Sequence, residues 1–237
     1  MHSDPKTSFI QTFCGEGKGP APDRLGIRLD ESGTFLPEPG NTVVCHVRQD
    51  SASQKAMIKA RERLQALDLK GHFAWTPASS YHMTVFNGVI ESQRERDHWP
   101  SELPLDATIE ETTKYIIPRL KGVRPAAPFR VKLDRISPFG LSVSGVAEED
   151  DNIIRDFRAR LTGPFGFRKP DHDSYRLHLT MAYLIRWLPH DAWQTYLPAL
   201  QEITAAFQAE VPVLELGPAD FCTFENMNHF EPVLRLA

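Results

Sequence analysis

The chain has 237 residues, of which 41% are hydrophobic and 24% are charged. This composition is typical of a globular protein with a sizeable core, and it excludes a disordered or fibrous chain. The formal net charge of −4 argues against a protein that wraps long duplex nucleic acid, because such proteins are normally basic, whereas a ligand with few phosphates needs no basic excess.

The three cysteines, Cys14, Cys45 and Cys222, are odd in number and have no C-x-x-C spacing. This pattern predicts free thiols in a reducing compartment rather than a disulfide framework. The N-terminus has no apolar segment of signal-peptide length, and no apolar run approaches membrane-spanning length. We therefore expect a cytoplasmic protein without a membrane partner.

Residues 1–41 are rich in Gly, Pro and charge, which predicts an N-terminal extension laid over the body rather than a separate fold. Runs of β-branched and aromatic residues between turn signals predict strands at residues 42–47, 72–75, 82–86, 129–136, 141–146, 176–184, 211–216 and 219–224. Apolar residues spaced three or four apart, together with Gly or Pro near the ends of a segment, predict helices at residues 53–69, 107–120, 148–161 and 189–209. This order predicts an α+β domain over residues 42–237, made of two similar halves that meet near residues 121–127.

Two predicted strands carry the same His-x-Thr unit between apolar residues. The units are Tyr81-His82-Met83-Thr84-Val85 and Leu177-His178-Leu179-Thr180-Met181. A single H-x-T is weak evidence, since chance gives about half a match in a chain of this composition. Side chains alternate across a strand, so in each unit His and Thr share one face while the apolar residues face the core.

This alternation places an imidazole and a hydroxyl on the same face of each strand, about 6 to 7 Å apart. Two such strands brought together would supply a base for the attacking oxygen, an acid for the leaving oxygen and two hydroxyl donors for a phosphate. The interpretation gives His82 and His178 catalytic roles and gives Thr84 and Thr180 phosphate-binding roles, with no metal or other cofactor. Which histidine is the acid stays open.

At these residues the sequence resembles the two-histidine phosphoesterase superfamily, in particular its LigT-like cyclic phosphodiesterase and RNA 2′,5′-ligase group. The 96-residue separation of His82 and His178, the Trp75-Thr76-Pro77 approach and the Phe86-Asn87-Gly88-Val89 exit are similar to that family's pattern. The resemblance covers residues 42–236. It implies a bilobal α+β fold with pseudo-twofold symmetry, in which two antiparallel sheets flank a central cleft and the helices lie outside.

Other residues are candidates for the rim of the site. Phe86 shares parity with His82 and could stack on a base, although a bulge would send it into the core. Tyr183 has the opposite parity to His178 and reaches the cleft only if the strand bends. Arg176, like Arg168 and Lys169, precedes the second motif and could contact phosphate.

The leading hypothesis is a metal-independent phosphodiesterase or 2′,5′-ligase that acts on a cyclic phosphate or a 2′,5′ linkage of a nucleotide or RNA end. The alternatives are a non-catalytic nucleotide- or RNA-binding module that uses the same cleft, and a metal-dependent phosphoesterase. The expected partner is a nucleotide or RNA-end substrate, and the expected state is a monomer.

Overall fold

The computed structural model describes residues 4–236. Five α-helices are present in this part of the chain: α1 (Pro5–Phe13), α2 (Ala52–Leu67), α3 (Ile109–Leu120), α4 (Glu148–Phe165) and α5 (Trp193–Glu210). The strands are β1 (Gly40–Val47), β2 (Phe73–Trp75), β3 (His82–Ile90), β4 (Val131–Ser137), β5 (Gly140–Gly145), β6 (His178–Thr180), β7 (Ala182–Leu184), β8 (Leu216–Phe224) and β9 (Glu231–Arg235). In residues 4–236 no helix combines the length and apolar character that crossing a bilayer requires.

One large antiparallel sheet forms the centre of the fold. Its seven strands lie in the order β4-β5-β6-β3-β1-β8-β9, and β2 pairs with β7 in a small second sheet. The predicted α+β class, with two antiparallel sheets, is confirmed. The structure adds that the large sheet runs through both halves of the chain, because β3 and β6 pair with each other at Met83 and Leu179.

A bulge interrupts β3 directly after the first motif. The register with β1 shifts between the pairs Val44–Thr84 and Val43–Phe86, so Val85 is the extra residue. Both Val85 and Phe86 are consequently buried, at 0% and 2% exposure. An inserted residue reverses the alternation of every side chain that follows it.

The predicted strand at residues 176–184 is two short strands, β6 and β7, separated at Met181. The Met181 amide donates to the carbonyl of Phe139, and the Met181 carbonyl accepts from both the amide and the hydroxyl of Thr76. These contacts turn the chain from the large sheet into the small one. The break therefore restarts the alternation of side chains after Thr180.

The strands predicted at residues 129–136 and 141–146 form the β4–β5 hairpin, whose turn brings the backbone close to β6. Gly140 has a φ of 144°, and a Cβ at this position would lie 2.0 Å from the Leu179 carbonyl oxygen. Only glycine can occupy such a position without moving the neighbouring strand. The turn thus fixes β5 directly against the second motif.

The ends of the chain differ most from the predicted elements. Helix α1 was not predicted, although Asp4 caps it and Pro5 occupies its first turn. Of the two strands predicted at residues 211–216 and 219–224, only the second corresponds to a strand, β8; residues 211–215 form no strand, and the edge strand β9 was missed. Pro232 and the exposed side chains of β9 give it no alternating apolar pattern, which is common for edge strands.

Candidate active site

The pairing of β3 with β6 brings the two His-x-Thr units together. Met83 and Leu179 are directly paired and buried, at 0% and 1% exposure, so their neighbours on each strand point to the opposite face. The side chains that share this opposite face are His82, Thr84, His178 and Thr180. In this register each His faces the Thr of the other strand, and the two histidines occupy diagonal positions, which are about 7 to 8 Å apart in antiparallel sheets.

Each imidazole is oriented by the backbone two residues before it. His82 Nδ1 donates to the Ser80 carbonyl oxygen at 2.7 Å, and His178 Nδ1 donates to the Arg176 carbonyl oxygen at 3.0 Å. A carbonyl oxygen can only accept, so the bond assigns the proton to Nδ1 and leaves Nε2 as the working nitrogen. The two halves of the site therefore repeat the same anchoring device.

The surroundings of the two imidazoles differ. His82 is half-buried and its ring lies 4.1 Å from that of Phe230, whereas His178 is exposed. Burial lowers the pKa of His82 to about 4; the Ser80 carbonyl opposes this shift, and the nearby His46 and His178 add to it. At neutral pH His82 is therefore uncharged, with a lone pair on Nε2 that can accept a proton.

His46 is a neighbour that the sequence analysis did not single out. It lies opposite His82 in the pairing of β1 with β3, and the two ring centroids are 6.2 Å apart. Burial lowers the pKa of His46, while the carboxylate of Asp220 raises it. Strand parity alone could not have indicated His46, because the pairing of β1 with β3 is set by long-range contacts.

A tyrosine lies beside each threonine of the motif. The hydroxyl of Tyr175 is shielded from solvent and directed toward Thr84 and Asn87, but it forms no hydrogen bond of good geometry with the described residues. Burial raises the pKa of Tyr175 to about 12, so its hydroxyl remains a donor. Tyr183 lies beside Thr180.

The predicted rim residues have different locations. Tyr183 lines the same cavity as His178 and Thr180, because the break at Met181 restarts the alternation. Of the two alternatives for Phe86, stacking on a substrate base is excluded: the bulge turns the side chain into the core, where its ring packs 4.6 Å from that of Phe165.

Arg176 is exposed and lines a neighbouring cavity of about 770 Å³. This cavity also contains Tyr175 and Ser142, the residue that pairs with His178 on β5. Arg176 therefore lies at the edge of the site, and its carbonyl oxygen, rather than its guanidinium, contacts His178.

A cavity of about 330 Å³ opens beside the second motif. One wall comes from the fold around β6 and β7 and contains His178, Thr180, Tyr183, Phe139, Ala182, Leu184 and Trp187. The other wall comes from the N-terminal extension and contains Thr12, Lys18, Pro22, Asp23 and Arg24. The extension is thus part of the surface that a substrate at the second motif would meet.

The acidic and histidine side chains of residues 4–236 form no group of three that could hold a metal ion. In the Asp171-His172-Asp173 segment the His172 ring packs against Phe86, and Asp173 forms an ion pair with Arg168. In this segment, His172 and Asp173 therefore have structural contacts with Phe86 and Arg168.

A family model described as "2H-phosphodiest: Domain of unknown function (DUF1868)" matches residues 28–142, which include the first motif. A crystal structure of a conserved protein of unknown function, ATU0111 from Agrobacterium tumefaciens str. C58, is 35% identical in sequence and superposes with a TM-score of 0.94. The likeness covers 99% of this chain and 100% of that one. The chain belongs to the 2H phosphoesterase family. No curated protein sequence matches the chain.

Membership of the 2H phosphoesterase family supports a phosphoesterase-type function. It also confirms the resemblance seen in the motifs.

Proposed function

We propose that the protein is a metal-independent phosphodiesterase that opens a cyclic phosphate, or cleaves a 2′,5′ linkage, in a nucleotide or at an RNA end. The observation that supports this most is the register of β3 and β6, which gathers two imidazoles and two hydroxyls on one face. Both Nδ1 atoms are engaged by backbone carbonyls, so both Nε2 atoms are available for proton transfer.

In the proposed reaction His82 is the base and His178 the acid. His82 Nε2 takes the proton of a water molecule as its oxygen attacks phosphorus, because the lowered pKa of His82 keeps this imidazole neutral. The bond from phosphorus to the ribose oxygen breaks, and His178, which enters this step as the imidazolium with protons on both ring nitrogens, gives its Nε2 proton to that oxygen. Ligation follows the same course with a ribose hydroxyl in place of water: His82 Nε2 takes the proton of that hydroxyl as its oxygen attacks phosphorus, and His178 Nε2 protonates the ribose oxygen that leaves.

The hydroxyl groups of the site hold the negative charge that builds up on phosphate. Thr84 and Thr180 donate to its non-bridging oxygens, and the Tyr175 hydroxyl is a third donor because it has no good partner among the described residues. These groups supply the acid, the base and the donors of the reaction, so the mechanism itself does not call for a metal ion.

The test is turnover of nucleoside 2′,3′-cyclic phosphates and 2′,5′-linked dinucleotides in the presence of EDTA. We expect wild-type turnover, with kcat reduced at least a hundredfold in His82→Ala and in His178→Ala. His190→Ala is the matched control, since His190 is exposed and lies outside the cavity walls. Activity that EDTA abolishes and a divalent ion restores would contradict the mechanism.

The same assay separates the second candidate function, a nucleotide-binding module without catalysis. Such a module would bind nucleotides in the cavity but turn over no member of the panel. Survival of binding in the two histidine variants, together with loss of turnover, supports the enzyme.

A further inference from the structure

The N-terminal extension is fixed against the body next to the candidate site. Phe9 and Phe13 of α1 are buried in the main core, and the Phe13 ring lies 4.7 Å from that of Phe139. Trp187 Nε1 donates to the Gly19 carbonyl at 3.0 Å, and a Cβ on Gly15 would meet the Trp187 ring at 2.6 Å. The chain that follows, residues 18–24, is called the N-terminal wall below.

The N-terminal wall presents positive charge to the cavity that contains His178 and Thr180. Lys18 and Arg24 both line this cavity and are exposed, and within residues 4–236 neither forms an ion pair. Asp23 is the one carboxylate among the cavity's lining residues. The two cations therefore outnumber the acid at the rim.

We propose that the N-terminal wall forms a second anion site, so that the substrate carries a further phosphate besides the one being cleaved. The inference rests on the proposed function, which assigns the reacting phosphate to the two His-x-Thr units. Lys18 and Arg24 are specificity residues in this scheme. A cavity of about 330 Å³ is at the lower end of ligand-pocket sizes and suits a nucleotide that carries two phosphates.

The substrate class follows from this arrangement. A 2′,3′-cyclic nucleotide with a 5′-phosphate, or the 5′-phosphorylated end of a short 2′,5′-linked oligonucleotide, presents one phosphodiester and one separate phosphate. The nucleoside 2′,3′-cyclic phosphate without the 5′-phosphate would contact the His-x-Thr units alone.

Calorimetric binding of two product analogues tests the inference without relying on turnover. We expect wild-type protein to bind a nucleoside 2′,5′-bisphosphate at least tenfold more tightly than the 2′-monophosphate, because charge-assisted contacts with phosphate are strong. The ratio should fall below about threefold in the double variant Lys18→Gln/Arg24→Gln and should diminish with added salt.

Two further variants make the test specific. Lys18→Arg/Arg24→Lys keeps both charges and should retain the preference for the bisphosphate. Lys6→Gln removes a charge from the same extension, where Lys6 lies over the Trp193 ring and outside the cavity, and should leave the ratio unchanged. Thermal unfolding of each variant establishes that it is folded.

Equal affinity of wild-type protein for the two analogues, or no binding of the bisphosphate, would overturn the second anion site. Turnover of simple cyclic phosphates would then still support the proposed function. A bisphosphate preference that depends on Lys18 and Arg24 but is accompanied by no turnover would support the anion site and count against the enzyme.

Discussion

The two motif histidines share one backbone anchor and differ in their exposure. Each Nδ1 donates to the carbonyl two residues earlier, so the sequence repeat is also a repeat of local geometry. Phe230, from the loop between β8 and β9, places its ring 4.1 Å from that of His82, whereas the Tyr175 ring lies 5.8 Å from that of His178. A pseudo-symmetric pair thereby gains the asymmetry that an acid and a base require.

The pH dependence of kcat/KM should reflect the burial of His82 by Phe230. The lowered pKa keeps His82 neutral down to about pH 4, so the acid limb of kcat/KM should lie well below the ordinary histidine range near 6.5. Phe230→Leu exposes the ring to more water and should move that limb to higher pH. NMR titration of the His82 ring provides a direct check.

Phe129→Leu is the control for this experiment, because Phe129 packs against Phe157, and neither residue lines the cavities at the motif. An acid limb that stays in place in Phe230→Leu would show that burial by this ring does not set the pKa of His82.

At the scale of elements, the irregularities of β3 and of the β6–β7 segment decide which side chains reach the cleft. Strand parity in the sequence correctly indicated that the His and Thr side chains share a face. It could not indicate which way the side chains of Phe86 and Tyr183 point, because the bulge and the break depend on residues that are distant in the sequence. Arg158 bonds the carbonyl at the bulge, and Phe139 and Thr76 bond the backbone at the break.

Replacement of Arg158 should therefore destabilise the bulge. Its guanidinium is buried, at 6% exposure of the residue, and donates to the carbonyls of Val85 and His172. Arg158→Met would leave both carbonyls without this donor and should lower the free energy of unfolding by about 2 to 4 kcal/mol. Urea unfolding measures the change.

Arg155→Met is the matched control, because Arg155 lies one turn earlier on α4, is exposed and donates to the side chain of Asn152 on the same helix. It should change the free energy of unfolding by less than about 0.5 kcal/mol. Similar losses in the two variants would show that the bulge does not depend on Arg158.

At the scale of the whole molecule, the extension and the body share one core. The sequence predicted that the extension lies over the body, but not that it contains a helix whose rings enter the core. The signal for α1 was present in Asp4-Pro5, a capping residue followed by proline. This signal was outweighed by the Gly- and Pro-rich residues that follow it. The burial of Phe9 and Phe13 could not be predicted either, because their partners lie in the C-terminal half of the chain.

Truncation of Phe13 should consequently cost stability as a core substitution does. Phe13→Ala removes its contact with Phe139 and should lower the free energy of unfolding by about 3 kcal/mol. Ile27→Ala is the comparison, since Ile27 is 45% exposed, and should change it by less than about 0.5 kcal/mol. Equal small effects would mean that the extension is not part of the cooperative unit.

The pairing of β3 with β6 is unusually short, which bears on the geometry of the candidate site. A single residue pair, Met83 with Leu179, registers these strands, whereas β1 is registered with β3 along most of its length. The side chains of the two His-x-Thr units therefore lie on either side of the least extensively paired junction in the large sheet. A shift of β3 relative to β6 at this junction would change the distance between the imidazoles of His82 and His178 without disturbing the longer pairings of β1 with β3 and β8.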